Sequence, residues 1–240
     1  MGTDGPGQRP EGTGLTAPPD HPPLRSFGRL KSRPIKPRQA ALMETLLPQV
    51  RCPQAPFDPK ALAPGASETW LEIGFGGGEH MAAQAGLRPQ VLILGAEPFQ
   101  NGVASALRHL DERGLANVRI EDGDVRSLMA RLPDASIARI FILFPDPWPK
   151  ARHHKRRLIQ PENLDAFARL LRPGGRLRFA SDWAEYVDWT VERFAAHPAF
   201  RWMAERADDW RAPPADHVTT RYEEKRLGDC APVFLDYERV

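Results

Sequence analysis

Three times between residues 69 and 124, a short run rich in apolar side chains reaches a carboxylate: Glu72, Glu97 and Asp124. The runs at 69–73, 91–96 and 117–120 have strand character, and 79–85 and 99–113 between them have helical character. Strands joined through helices run parallel, so their C-terminal ends share one edge of the sheet. That edge is where open α/β sheets bind ligands. Any one of these acids alone reads as a surface group or a helix cap. Three in equivalent places point to a shared cleft. The first run also leads into a glycine turn with Gly74, Gly76, Gly77 and Gly78. Glycines allow positive φ and close approach of backbone to ligand. The dinucleotide fingerprint G-x-G-x-x-G is not met, because its third glycine position holds Glu79. Glu72 and Glu79 would repel a pyrophosphate and suit a ligand with a cationic or zwitterionic end. Glu97, about twenty residues past the turn, can accept both hydroxyls of a ribose. Asp124 can accept the exocyclic amine of an adenine.

A fourth run, 138–144, reads as a buried strand and ends in Pro145-Asp146-Pro147-Trp148-Pro149. Three prolines in five residues fix φ and remove N–H donors, so the loop is stiff and cannot extend the sheet. Lys150, Arg152, Lys155, Arg156 and Arg157 follow, with His153 and His154 among them and no acid. The net charge is only +2, so this basic character is local. A fixed carboxylate beside dense cations suits chemistry on a polyanion.

Residues 1–23 are rich in Gly and Pro and are expected to form a disordered tail. Residues 24–66 read as a basic arm with a helix at 37–47, then an irregular proline-rich stretch from 48. Residues 67–240 read as one domain. Its second half adds a helix at 161–171, a turn at 172–175 and a strand at 176–181 ending on Asp182. A helix at 184–196, an edge strand at 201–203, a polar loop or short helix at 218–226 and a strand at 233–238 complete it. The fold class is α/β and Rossmann-like: a mainly parallel seven-stranded sheet, an antiparallel strand at the edge, and helices on both faces. Cys52 and Cys230 match no metal or redox spacing, which favours a reducing, cytoplasmic setting. No run reaches the length of a membrane span, and the N-terminus lacks the apolar core of a signal peptide.

On these residues the chain resembles the tRNA (guanine-N7-)-methyltransferase family of the bacterial single-chain type. The resemblance runs from about residue 25 to the C-terminus. It rests on the glycine turn after Leu71-Glu72-Ile73, on Phe144-Pro145-Asp146-Pro147-Trp148 with its basic tail, on Ser181-Asp182, and on Thr220-Arg221-Tyr222-Glu223. It implies a class I methyltransferase fold that transfers a methyl group from S-adenosyl-L-methionine to N7 of guanine 46 in the tRNA variable loop. It implies cofactor contacts at Glu72, Gly74, Gly76, Glu97, Asp124 and Asp146, with Asp146 also catalytic. Lys150, Asp182, Thr220, Arg221, Tyr222 and Glu223 correspond to substrate contacts. Arg152, His153, His154, Lys155, Arg156 and Arg157 correspond to the RNA-binding segment. Pro149 departs from a family position that is often polar. No metal, membrane attachment or obligate protein partner is expected, and the chain is expected to act as a cytoplasmic monomer.

Guanine N7 carries a lone pair and no proton, so its methylation needs alignment rather than a general base. The product is cationic, and a carboxylate near the base stabilises that charge as it develops. Asp146 is the first candidate, with Asp182 and Glu223 as alternatives. Trp148, Trp183 and Tyr222 are candidate surfaces for an extruded base. Two competing readings stand beside this one. A methyltransferase acting on a small molecule or a protein is disfavoured by the basic tail after Trp148. A non-catalytic RNA-binding protein that keeps the fold is disfavoured by strand-end acids that would repel phosphates.

Overall fold

The computed structural model describes residues 34–240. The expected tail at 1–23 and the basic residues up to 33 lie outside them. The chain begins with α1 (Pro37–Thr45), α2 (Leu47–Val50) and α3 (Pro59–Leu62), then β1 (Glu68–Ile73), α4 (Glu79–Leu87), β2 (Val91–Ala96) and α5 (Gln100–Arg113). Next come β3 (Val118–Glu121), α6 (Val125–Arg131), β4 (Ile137–Leu143), a 3-10 segment (Ala151–Arg156), α7 (Pro161–Leu170) and β5 (Leu171–Ser181). The last elements are α8 (Ala184–Ala196), β6 (Phe200–Trp202), α9 (Asp208–Arg211), α10 (Arg221–Glu224) and β7 (Val233–Arg239).

The seven strands lie in the order β3-β2-β1-β4-β5-β7-β6. From β3 to β5 every pairing is parallel; β7 runs antiparallel between β5 and β6. Successive side chains of a strand face opposite sides, so burial on both sides produces an unbroken apolar run. β2 does this throughout: Leu92 and Leu94 join one core, Val91 and Ile93 the other. The first core holds Leu128 of α6, Phe167 of α7 and Phe194 of α8. The second holds Leu47 of α2, Met81 of α4 and Leu107 of α5. Helices therefore cover both faces.

Several local features differ from the sequence reading, among them α9 and the 3-10 segment, which it did not foresee, and the helix expected at 37–47, which is divided between α1 and α2. The stretch 48–66 is not wholly irregular, because prolines at the first turns of α2 and α3 start short helices there. α6 was not foreseen; Asp124 caps it by accepting from Arg126 N–H. The turn expected at 172–175 is a bulge inside β5. Ile137 pairs with Leu171 and Arg139 with Arg176, so Arg172-Pro173-Gly174-Gly175 loops out of register, with Gly174 at φ 73°.

Candidate active site

The strand order reverses at β1 and β4, since β2 and β3 lie to one side and β5 to the other. A crevice opens at such a point, beyond the carboxyl ends of the strands. Here it is a cavity of about 810 Å3 whose walls include Glu72, Glu97, Asp124 and Asp146. The strand-end acids thus meet in one place.

The glycine turn is built around Glu97. Its carboxylate accepts from Gly76 N–H (2.8 Å) and from Phe99 N–H (2.9 Å), so β2 clasps the turn that follows β1. Gly76 has φ 54°, a conformation that suits glycine. Space above Gly74 and Gly76 is open where a side chain would stand. Gly102, in the first turn of α5, has a packing cause: a Cβ there would lie 2.3 Å from the Gly76 carbonyl oxygen. Burial raises the Glu97 carboxyl above the ordinary range, against the lowering effect of its two backbone donors.

Glu72 turns inward. Its Oε2 lies 2.6 Å from His80 Nδ1, with both side chains at or below 4 % exposed. His80 Nε2 meets Gln84 Nε2 at 3.2 Å, and Gln84 donates to the Asp216 carbonyl at 2.7 Å. The Asp216 carboxylate receives Arg178 at 2.6 Å and Arg139 at 2.8 Å. A buried polar chain therefore connects the cleft to the segment that precedes Thr220. A second link crosses the rim, where Arg221 Nε lies 2.8 Å from Glu79 Oε1.

Asp124 is engaged already. Arg126 donates to it from Nε (2.9 Å) and Nη2 (2.7 Å) as well as from the backbone. Burial opposes ionisation, but these donors outweigh it and hold the carboxyl below its usual range. Asp146 is the contrast. It stands open to the cavity, and burial against its surroundings pushes its carboxyl above the usual range. Its loop is bent as well as stiff, with Phe144 at φ 52° and Trp148 at φ 45° on either side of it.

The basic segment is sorted by its geometry. A 3-10 helix has three residues per turn, so side chains three apart share an edge. Arg152 and Lys155 form the exposed edge. His153 and Arg156 both lie against Trp148, at 5.9 Å and 4.9 Å from its ring centre. His154 and Arg157 form the inner edge: His154 meets Glu185 at 3.0 Å, and Arg157 is 2 % exposed. The six residues of the expected RNA-binding segment therefore differ in exposure, with Arg157 the most buried. Trp148, Lys155, Arg156 and Arg157 line the cavity, Arg157 with its side chain only 1 % exposed, and Lys150 is exposed outside it.

Thr220, Arg221 and Tyr222 reach the cavity; Asp182 and Glu223 stand behind them. Thr220 and Glu223 form a capping box at α10, and Glu223 Oε1 lies 2.8 Å from His217 Nε2. The Asp182 side chain accepts from Gly228 N–H (3.0 Å) and from the Tyr222 hydroxyl (3.3 Å). Trp183 Nε1 donates to the same hydroxyl at 3.2 Å. Of the three candidate aromatic surfaces, Trp148 and Tyr222 face the cavity, whereas Trp183 supports Tyr222 from outside it.

Sequence reasoning missed His80, Gln84 and Asp216. The spacing of His80 and Gln84, four apart on α4, was a readable signal that they share a helix face. Nothing in the sequence marked Asp216. Among the described residues no cluster of three or more His, Cys, Asp or Glu could hold a metal ion. The lining fits a nucleoside with a zwitterionic tail: carboxylates to accept from hydroxyls and amines, and an open glycine turn for close contact.

A family model described as "Putative methyltransferase" (Methyltransf_4) matches residues 66–234. The tRNA (guanine-N(7)-)-methyltransferase of Caulobacter sp. strain K31 is 67% identical over 220 residues, covering 92% of this chain and 97% of that one. The protein of the same name from Hyphomonas neptunium is 51% identical, covering 89% and 99%. Among solved structures, an rRNA methylase from Streptococcus thermophilus superposes with a TM-score of 0.50 at 15% identity, covering 76% of this chain and 93% of that one. At that identity the likeness is one of fold.

Proposed function

The chain belongs to the tRNA (guanine-N(7)-)-methyltransferase family, and from that premise we propose that it methylates N7 of guanine 46 in the variable loop of tRNA. S-adenosyl-L-methionine is the methyl donor in this reading, and it supplies an electrophilic methyl group on a sulfonium centre. Glu97 accepts from the ribose hydroxyls, Asp124 from the adenine amine, and the turn at Gly74 and Gly76 lies against the amino-acid end. Glu72, buried with His80, supports that turn from beneath. The enzyme acts in the cytoplasm, without a metal, and as a monomer that needs no protein partner.

The observation that carries the reading is the position of Asp146. It is a cavity-facing carboxylate on a stiff loop, between the acid-lined cleft and the cationic 3-10 segment. From there Asp146 accepts from guanine N1–H and N2–H2 and favours the charge that develops on the purine. Trp148 and Tyr222 offer faces for the extruded base. Arg152, Lys155 and Arg156 meet the phosphates, with Lys150 at their margin. Asp182 and Glu223 serve the substrate through the segment they brace. The test is methyl transfer from labelled S-adenosyl-L-methionine to unmodified tRNA transcripts with guanine or adenine at position 46. Transfer only to the guanine transcript is expected. Equal transfer to both would discard the position, and none to either would discard the activity.

A further inference from the structure

Arg157 ends a run of cations, yet it is the most buried large side chain of the segment, at 2 % exposure. Its guanidinium lies between two rings, 5.0 Å from the centre of Tyr186 and 4.8 Å from that of Trp189. Nη2 is 3.3 Å from Glu185 Oε1, and Nε donates to the Pro147 carbonyl at 2.9 Å. Nη1 is sealed from solvent without a hydrogen-bond partner among the described residues. A methionine would fill the slot without the cost of burying that donor. A methionine could make neither the contact with Glu185 nor the bond to Pro147, and of the two only the bond to Pro147 reaches the Asp146 loop.

Pro147 follows Asp146, and residues on either side of that pair, Phe144 and Trp148, hold the left-handed backbone. Bulky residues persist in that conformation only where the surroundings over-determine it. The prolines lack N–H groups, so the loop has few donors with which to hold itself. We propose that Arg157 is a positioning residue that fixes the Asp146 carboxylate by anchoring the Pro147 carbonyl, and that it makes no contact with RNA. This rests on the reading of Asp146 as the group that acts on the base.

Three full-chain variants test it: Arg157→Met, Arg157→Lys and, for comparison, Arg156→Ala. Each is assayed for tRNA affinity across a salt series and for kcat and KM. Arg157→Met is expected to keep the tRNA affinity within about twofold and the wild-type salt slope, while kcat falls about tenfold to a hundredfold, the scale of a small misplacement. Arg157→Lys restores part of kcat. Arg156→Ala makes the salt slope shallower by about one phosphate contact. A slope change in Arg157→Met like that of Arg156→Ala, or an unchanged kcat, overturns the proposal. Should both Arg157 variants fail to fold, arginine labelling of the wild type with phenylglyoxal decides. Arg157 is expected to stay unlabelled with or without tRNA, while Arg152 labels and is shielded by tRNA. Labelling of Arg157 that tRNA suppresses refutes it. A wild type that transfers no methyl group to tRNA sinks the functional reading instead, and the labelling still reports on Arg157.

Discussion

Glu72 and His80 meet inside the protein, with Oε2 and Nδ1 2.6 Å apart and almost no solvent at either side chain. Removing one partner of such a buried pair leaves the other unmatched. His80→Leu is therefore expected to cost about 3 kcal/mol of folding stability. It should also weaken S-adenosylhomocysteine binding, because the turn above Glu72 loses its support. Urea unfolding and calorimetric titration measure the two effects. Wild-type stability in the variant would show that the contact carries no energy.

Asp146 should set the acid limb of the reaction. In the proposed reading it acts ionised, and burial raises its pKa, so kcat/KM for tRNA is expected to fall as pH drops through a midpoint above the usual aspartate value of about 4. Asp146→Asn should lower turnover about a hundredfold and lack that limb. A variant profile that keeps the wild-type limb would assign it to another group, with Glu97, also raised by burial, the first to examine.

Asp216 should make stability depend on acid. Burial works against its ionisation, but Arg178 and Arg139 outweigh that and hold its pKa at about 2. The folded value lies below the unfolded one, so its stabilisation is complete above about pH 4 and is lost as pH falls toward 2. The difference in melting temperature between wild type and Asp216→Asn is expected to be constant above pH 5 and to shrink between about pH 4 and 2. A gap that stays constant over the whole range would contradict the assignment.

Gly102→Ala tests the contact between α5 and the glycine turn. Helix propensity alone would favour alanine by about 1 kcal/mol. The new Cβ would lie 2.3 Å from the Gly76 carbonyl oxygen, and overpacking of this kind costs about 1–3 kcal/mol. The clash wins, so lower stability and weaker S-adenosylhomocysteine binding are expected. A more stable variant would mean that the turn yields at little cost.

How much of this was legible depended on whether a side chain answered to local sequence or to distant partners. β2 could be read because both its faces are buried, which leaves an unbroken apolar run. The convergence of Glu72, Glu97 and Asp124 followed from their equivalent places at strand ends. α6 escaped because its seven residues give too little periodicity to read. Asp216 could not be found, since its partners Arg178 and Arg139 lie 38 and 77 positions away and only the fold unites them. The burial of Arg157 could not be read for another reason. Its neighbours are cations, and composition cannot tell which side of a turn a cation occupies.

Exposed loops usually tolerate a change in length, because nothing beneath them counts residues. The segment Ala151–Arg156 does count them. Its inward, Trp148-facing and outward edges repeat with the three-residue turn, so one inserted residue would rotate every later side chain by about 120°. Such an insertion after Arg152 would move Arg157 out of its slot between Tyr186 and Trp189. An insertion of three would restore the angular phase but lengthen the segment by about 6 Å. The segment behaves as a ratchet with a fixed tooth spacing, and the length of this stretch is as much a part of the site as the residues in it.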